Sequence, residues 1–377
     1  MRVYFMNPRQ NEVLILGGYG NFGKRICHGL ARSGVPVIIA GRRIGQAEAL
    51  AQEIRQAYPA ANARAEAVDV ERDLAEQLAR LKPAVVVNTC GPFQGRSYAA
   101  AQSCIASGVH YIDLADGREF VTGITALNAR ANAAGVCVIS GASTVPGLSS
   151  AVLEHYKSEF SEIESLEFGI SPGQKSERGL ATTQSILTYL GKPLKPSHGQ
   201  DGTRYGWQDV HRVRHPELGW RWMANCDIPD LDLLPERYCI QHIRFSAGME
   251  VPLVHFGLWA MSWAVRLGLP VNLTQYAPAL LRISNWFDRF GSGDGGMHVI
   301  IRGNGQNGQP HTRRWFIIAR NGDGPQIPCV PAILLAQKLA SGNQPIVPRA
   351  QPCVGLISLA EYMEKLQPFA VTVYAEK

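Results

Sequence analysis

The sequence predicts an α/β protein: a doubly wound Rossmann parallel sheet, followed by a second α+β domain with a mainly antiparallel sheet. Three observations predict this. A glycine-rich turn, Gly17-Gly18-Tyr19-Gly20-Asn21-Phe22-Gly23, stands between an apolar run and a helical pattern. Short apolar runs then alternate with helical patterns through about Gly141, the grammar of a parallel sheet. From Ile163 onward the pattern changes to alternating, half-exposed strands.

Val13 to Leu16 reads as the first buried strand. Phe22, Ile26 and Leu30 then share one helical face. Gly18, Gly20 and Gly23 fit G-x-G-x-x-G in its required setting, strand before and helix after. In this reading Gly18 permits the tight turn, Gly20 lets a pyrophosphate approach the backbone, and Gly23 lets the helix pack on the strand. The helix N-terminus supplies N–H groups and the positive end of its dipole to phosphates. Gly34 and Pro36 close the helix, and residues 36–40 form the second strand.

Gly41-Arg42-Arg43 follows that strand. An NAD site normally places an acid here to accept hydrogen bonds from the ribose. None occurs between Gly34 and Gln46. A guanidinium can grip a 2′-phosphate in a bidentate fork, so NADP is expected over NAD. The alternative is that both arginines are loop residues facing solvent. Residues 45–58 read as a helix and residues 63–70 as the third strand, ending at Val68-Asp69-Val70. Asp69 could bond an adenine amino group or cap the next helix. Residues 84–88 form the fourth strand, and Thr89-Cys90-Gly91-Pro92-Phe93 lies at its carboxyl end, where ligands bind in such sheets. Gly91 would allow close approach to a cofactor ribose, and Phe93 could cover it. Residues 110–114 and 136–139 read as the fifth and sixth strands. Asp113 and Asp116 fall at the end of the fifth.

Taken together, these segments resemble the saccharopine dehydrogenase-like family. The resemblance rests on the glycine turn, Ala40-Gly41-Arg42-Arg43, Asn88-Thr89-Cys90-Gly91-Pro92-Phe93, Gly108-Val109-His110-Tyr111-Ile112-Asp113 and residues 141–148. It covers roughly the first 155 residues and weakens beyond them. Members share an NADP-binding Rossmann domain with this order of segments. They include saccharopine reductases, lysine and polyamine-type dehydrogenases and trans-acting enoyl reductases. By position, the resemblance implies cofactor contacts at Gly18, Gly20, Asn21, Phe22, Gly23, Arg42, Arg43, Asp69, Gly91, Pro92 and Phe93. Gly41, Val70 and Thr89, from the same segments, complete the candidate cofactor set. The substrate is left open.

The expected domains are residues 1–145, 146–345 and a C-terminal segment 346–377 packing back on the first domain. Ser143 to Pro146 is expected to open a helix that leads to the second domain. Residues 193–222 read as irregular loops over a site, 238–245 as a strand, and 291–296 as a glycine-rich hinge or loop. Residues 297–302 and 312–319 read as a hairpin, and 333–339 and 359–366 as late helices.

Composition bounds the function. At 377 residues and a net charge of +6, the chain has room for two cores and is mildly basic, which suits anionic ligands. The basic stretch Arg204, His211, Arg212, Arg214 and His215 is too short for a nucleic-acid surface and reads as a solvated face. Eight cysteines without a C-x-x-C pair argue against a disulfide framework and for a reducing, cytoplasmic setting. With only a few residues before the first strand, no secretory signal is expected. A zinc site from His211, His215, Cys226 and Cys239 matches no standard spacing, so no metal is expected. The apolar run Val251–Leu269 is short for a membrane span, which needs about twenty residues. It still raises the possibility of membrane association and a lipid-like substrate.

The function expected is hydride transfer between NADP(H) and a C=N, C=O or activated C=C bond of a small molecule, by a homodimer. The alternatives are a non-catalytic NADP sensor and a peripheral reductase of lipid-like substrates. Asp116, Asp113 and Cys90 are the acid candidates, with Tyr98, His211 and His298 behind them. Ser143 and Arg178 are the substrate-binding candidates. There is no Tyr-x-x-x-Lys pair at Tyr98 and no G-x-S-x-G nucleophile elbow.

Overall fold

A computed structural model of the chain describes residues 11–200, 202–269, 272–342 and 346–376. Residues 1–10, on which the expectation of no leader rests, and the last residue of the C-terminal segment lie outside this set. The chain divides into two compact units. The first comprises Met1–Ala115, Phe120–Gly147 and Pro328–Cys353; the second comprises Asp116–Glu119, Leu148–Ile327 and Val354–Lys377.

The first unit begins β1 (Val13–Leu16), α1 (Asn21–Arg32), β2 (Val37–Gly41), α2 (Ile44–Ala57), β3 (Ala63–Ala67), α3 (Leu74–Leu81), β4 (Val85–Asn88), α4 (Ala99–Ala106) and β5 (His110–Asp113). Strands β1, β2 and β4 are buried along their whole length, which is why they read as continuous apolar runs. Residues 118–133 are not one helix. They form α5 (Arg118–Gly123), a 3-10 turn and α6 (Asn128–Ala133) before β6 (Val138–Ser140). Past β6, Val145 is extended because the residue before a proline is pushed out of the helical region. The helix expected at Ser143 therefore starts later, as α7 (Ser149–Tyr156).

The second unit continues with β7 (Phe160–Ser171), α8 (Leu180–Tyr189), β8 (His211–His215), β9 (Gly219–Asn225), α9 (Asp230–Tyr238), β10 (His242–Ala247), α10 (Pro252–Arg266), α11 (Ala277–Asn285), β11 (Gly295–Gly305) and β12 (Pro310–Ala319). The chain then returns to the first unit with α12 (Val330–Ser341) and β13 (Ala350–Pro352). It ends in the second with α13 (Leu359–Leu366) and β14 (Val371–Glu376).

The first sheet has the order β13-β6-β5-β4-β1-β2-β3, with every neighbouring pair parallel. The chain reverses direction across the sheet between β1 and β4, and ligands bind at such switch points. Six of the seven strands are those expected. The seventh, β13, is three residues long and pairs Ala350 with Val138. The second sheet has the order β14-β12-β11-β7-β10-β9-β8. It is mainly antiparallel, with one parallel pair, β7 and β10.

Four expectations for the second half are corrected. Residues 211–215, expected within the irregular loops, form the edge strand β8, whose Arg212 guanidinium lies 5.3 and 5.1 Å from the ring centroids of Trp220 and Trp222. The stretch 238–245 is split: α9 ends at Tyr238, Cys239 turns left-handed, and β10 starts at His242. Residues 291–294 are loop, as one alternative had it, but Gly295 and Gly296 are already the start of β11. A Cβ on Gly295 would stand 2.7 Å from the Gly173 nitrogen, and one on Gly296 2.8 Å from the Ile317 oxygen. The C-terminal segment 346–377 is divided: Ala350–Pro352 pairs with β6 in the first unit, and the chain from Val354 belongs to the second. Of the two late helices, α12 packs on α1 of the first unit, where Gly29 makes room for Ile333, whereas α13 packs on α7 and β14 pairs with β12.

Candidate functional site

The glycine turn links β1 to α1. Gly17, not Gly18, carries the left-handed conformation, with φ of 72°. Gly18 is needed for a different reason: a Cβ there would lie 2.8 Å from the Ile39 side chain on β2. Gly23 is packed hardest, since a Cβ would come within 2.2 Å of the Gly17 oxygen. Gly20 differs from both. Its Cβ would meet only the Gly17 oxygen, at 3.1 Å, so the space before it opens away from the protein. Gly20 is also the N-cap of α1 and makes no side-chain cap bond. The first-turn N–H groups of a helix have no intrahelical acceptor, so this end of α1 is suited to an anion.

The end of β2 supplies the second part of the site. Arg42 and Arg43 are both exposed, and among the described residues neither forms an ion pair with an acid. Tyr19, a residue the sequence reading passed over, holds this corner. Its ring lies against Gly41, its hydroxyl accepts the Arg43 N–H at 3.1 Å, and the Arg43 guanidinium lies 5.8 Å from the ring centroid. The only sequence signal was an aromatic residue at a variable position of the turn. Asp69 lies beyond the end of β3 rather than within it. Its carboxylate accepts the Glu71 N–H at 3.1 Å, so it closes its own turn, with Val70 half-buried beside it.

The end of β4 is tied to the glycine turn. The Thr89 hydroxyl donates to the Leu16 carbonyl at 2.8 Å, and the Asn88 side chain accepts the Cys90 N–H at 3.0 Å. Gly91 and Pro92 are half-buried and joined by a cis peptide bond. Phe93 does not stand over the sheet edge. It is buried against Phe120, with ring centroids 5.3 Å apart. Asn21 and Phe22 are half-buried in the first turn of α1. Gly18, Gly20–Gly23, Gly41–Arg43, Asp69, Val70 and Thr89–Phe93 therefore all belong to the first unit.

The acid candidates separate. Cys90 is exposed, close enough to the turn that a Cβ on Gly17 would meet its sulfur at 3.0 Å. Crowding by protein atoms pushes its thiol up to about 11, while the positive charge of Arg42 pulls the other way. Asp113 is sealed in the core. Its Oδ1 accepts the Ser140 hydroxyl at 2.8 Å and the N–H groups of Gly141 and Ala115 at 2.9 and 3.0 Å. Burial raises it to about 6 against those bonds. This is a carboxylate that ties β5 to β6, not one that faces a ligand. Tyr98 is likewise used internally, donating to the Phe120 carbonyl at 2.7 Å.

The other candidates belong to the second unit or to its border. Asp116, in the second unit, accepts the Ser185 hydroxyl at 2.9 Å. Arg178 donates to Asp288 at 2.6 Å and to Asn285 at 2.9 Å. Ser143, in the first unit, is half-buried, and its carbonyl accepts the Gly147 N–H at 3.1 Å. His298 is buried on β11 with its ring centroid 5.2 Å from that of His215, and burial holds it well below the usual histidine range. His211 is held between the Asp209 carbonyl and Arg244. Among the described residues, no three His, Cys, Asp or Glu side chains are grouped to hold a metal ion. No helix among them is long and apolar enough to cross a membrane.

Residues 13–139 match the family model described as the saccharopine dehydrogenase NADP binding domain. No curated protein matches the chain. Among solved structures, the apo histidine-tagged saccharopine dehydrogenase (L-Glu forming) of Saccharomyces cerevisiae is 14% identical with a TM-score of 0.65, covering 97% of this chain and 100% of that one. This likeness is one of fold. The amine dehydrogenase of Mycobacterium smegmatis is 13% identical with a TM-score of 0.47, covering 91% of this chain and 94% of that one. The glycine turn, the arginine pair and the family match agree: residues 13–139 are similar to the saccharopine dehydrogenase NADP binding domain, whose nucleotide is NADP.

Proposed function

We propose that this protein is an NADP(H)-dependent oxidoreductase acting on a C=N, C=O or activated C=C bond of a small molecule. The observation that carries the reading is the pairing of an open helix N-terminus at Gly20 with two exposed, acid-free arginines at the end of β2. Gly18 to Gly23 would hold the pyrophosphate through backbone N–H groups. Arg42 and Arg43 would hold the 2′-phosphate, and a carboxylate in their place would repel it. Asp69 and Val70 would flank the adenine, and Thr89 to Pro92 the nicotinamide end. NADP supplies hydride donation and acceptance when bound. The chain supplies orientation and a proton. Of the three acid candidates, Cys90 is exposed and remains protonated at neutral pH, whereas Asp113 is sealed.

The test is a titration with NADPH and NADH, followed by nicotinamide fluorescence, on the wild type and an Arg42→Ala/Arg43→Ala variant. NADPH should bind at least about tenfold more tightly than NADH, since one charge-assisted hydrogen bond is worth about 1.5–3 kcal/mol. The variant should lose that preference and keep its NADH affinity. Equal binding of both nucleotides by the wild type would remove the arginines from the site.

A further inference from the structure

Tyr19 stands between the two parts of the cofactor site, the glycine turn after β1 and the arginine pair after β2. It is half-buried, and its ring lies over Gly41, the last residue of β2. A Cβ on Gly41 would stand 2.5 Å from the ring Cε1 and 2.7 Å from both Cζ and the hydroxyl oxygen. Gly41 is not in the left-handed region, so its backbone does not call for glycine. What calls for it is the space that the end of the tyrosine occupies.

The hydroxyl makes one bond to the chain and keeps one hydrogen to give. Its oxygen accepts the Arg43 N–H at 3.1 Å. A backbone N–H can only donate, so this bond fixes the oxygen as acceptor and leaves the phenolic O–H to donate elsewhere. Among the described residues, no acceptor takes that proton. Other donors gather at the same corner. The Arg43 guanidinium lies 5.8 Å from the ring centroid, and Arg42 and Arg43 are both exposed. Arg43 is also the N-cap of α2, without a side-chain cap bond and with no acid in the first turn of the helix. Its carbonyl takes the Gln46 and Ala47 N–H groups, and the N–H groups ahead of these have no intrahelical acceptor. A phosphate monoester brings three acceptor oxygens and up to about two negative charges, and can use all of these donors. A ribose hydroxyl has only two lone pairs and no charge.

We propose, on the NADP reading above, that Tyr19 is a specificity-determining residue: its O–H donates to the 2′-phosphate, and its ring and oxygen hold Arg43 for the same group. A reading by charge alone passes over this donor because a tyrosine is neutral.

The test is titration of the full chain with NADPH and NADH, followed by nicotinamide fluorescence, with thermal melting of each variant. Tyr19→Phe keeps the ring and removes the hydroxyl. It should weaken NADPH about tenfold, the worth of one hydrogen bond to a charged group, and leave NADH and the thermal midpoint close to those of the wild type. Gly41→Ala keeps the hydroxyl but puts a methyl where it stands, and should give the same selective loss. Arg43→Ala retains the backbone N–H that positions the oxygen. In that background Tyr19→Phe should still weaken NADPH several-fold, because the donation is direct. If Tyr19→Phe costs nothing once Arg43 is alanine, the tyrosine acts only through the arginine and the direct bond is overturned. Equal loss of NADPH and NADH in Tyr19→Phe would overturn it too. A preference for NADPH that Arg42→Ala/Arg43→Ala abolishes and Tyr19→Phe retains in full would overturn the role of Tyr19 and leave the NADP reading standing. A wild type without that preference would overturn both.

Discussion

At Cys90, chemistry and position point to different experiments. The side chain is exposed beside the glycine turn, yet its thiol is raised to about 11. At pH 8 only about one molecule in a thousand would carry the thiolate, which is the reactive form. Iodoacetamide labelling of Cys90, mapped by mass spectrometry, should therefore be slow near neutral pH and accelerate toward pH 11. NADPH should slow it several-fold further, because Cys90 adjoins the residues proposed to hold the nucleotide. Fast labelling at pH 7, or labelling indifferent to NADPH, would remove Cys90 from the site. Asp113 shows the opposite case. It has the right sheet edge for an acid, but three hydrogen bonds and complete burial commit it to the backbone of β5 and β6.

The β1–turn–α1 unit distributes its glycines among separate physical tasks, and substitutions can tell them apart. Gly23→Ala would drive a methyl into backbone, 2.2 Å from the Gly17 oxygen and 2.8 Å from the Gly18 Cα. Neither neighbour can swing aside, so a stability loss of about 3 kcal/mol or more is expected. Gly20→Ala meets a single oxygen at 3.1 Å and should fold with a thermal midpoint near that of the wild type. Its methyl would nevertheless stand where the phosphates approach the helix N-terminus. NADPH affinity should fall at least about tenfold in this variant with stability nearly intact. If Gly20→Ala melts early and Gly23→Ala does not, the division of roles is reversed.

For the whole molecule, the two units can be followed separately. All seven tryptophans lie between Trp207 and Trp315, within the second unit, so intrinsic fluorescence reports that unit alone. The same unit buries His215 and His255, both held down to about 4 by burial, against 6.5 for a free histidine. An unfolded chain binds these protons below pH 6.5 and the folded chain does not until about pH 4. Stability from these groups is present above pH 6.5 and falls as the pH drops toward 4. Asp230, raised to about 7 by burial, works in the other direction, being favoured in its neutral form at low pH. A difference between variants isolates the histidine. Neither ring nitrogen of His215 has a hydrogen-bond partner, and it packs edge-on to Phe316. His215→Phe should raise stability at pH 5 by about 2 kcal/mol more than at pH 7.5, read by urea unfolding under tryptophan fluorescence. An equal change at both pH values would mean that His215 is protonated in the folded state.

The sequence by itself determined the nucleotide-binding half. Strands buried on both faces must be continuous apolar runs, and the turn between β1 and α1 admits only glycine at its crowded points. The choice of NADP was readable as well, because Arg42 and Arg43 follow the second strand where an NAD site expects an acid. Those signals are local, a few residues long and set by backbone geometry or charge. Only the tertiary structure decided the rest. Strand β13 has three residues and exists because β6 offers it an edge. Strand β8 looks like a charged loop until Trp220 and Trp222 cover its Arg212. Asp113 and Phe93 looked available at a sheet edge, yet packing turned both inward. The apolar cleft among α8, α10 and α11 is likewise invisible in the apolar pattern of α10, which gives the character of the helix but not which of its faces is left uncovered. Such features depend on what long-range neighbours leave open, and no short stretch of sequence encodes that.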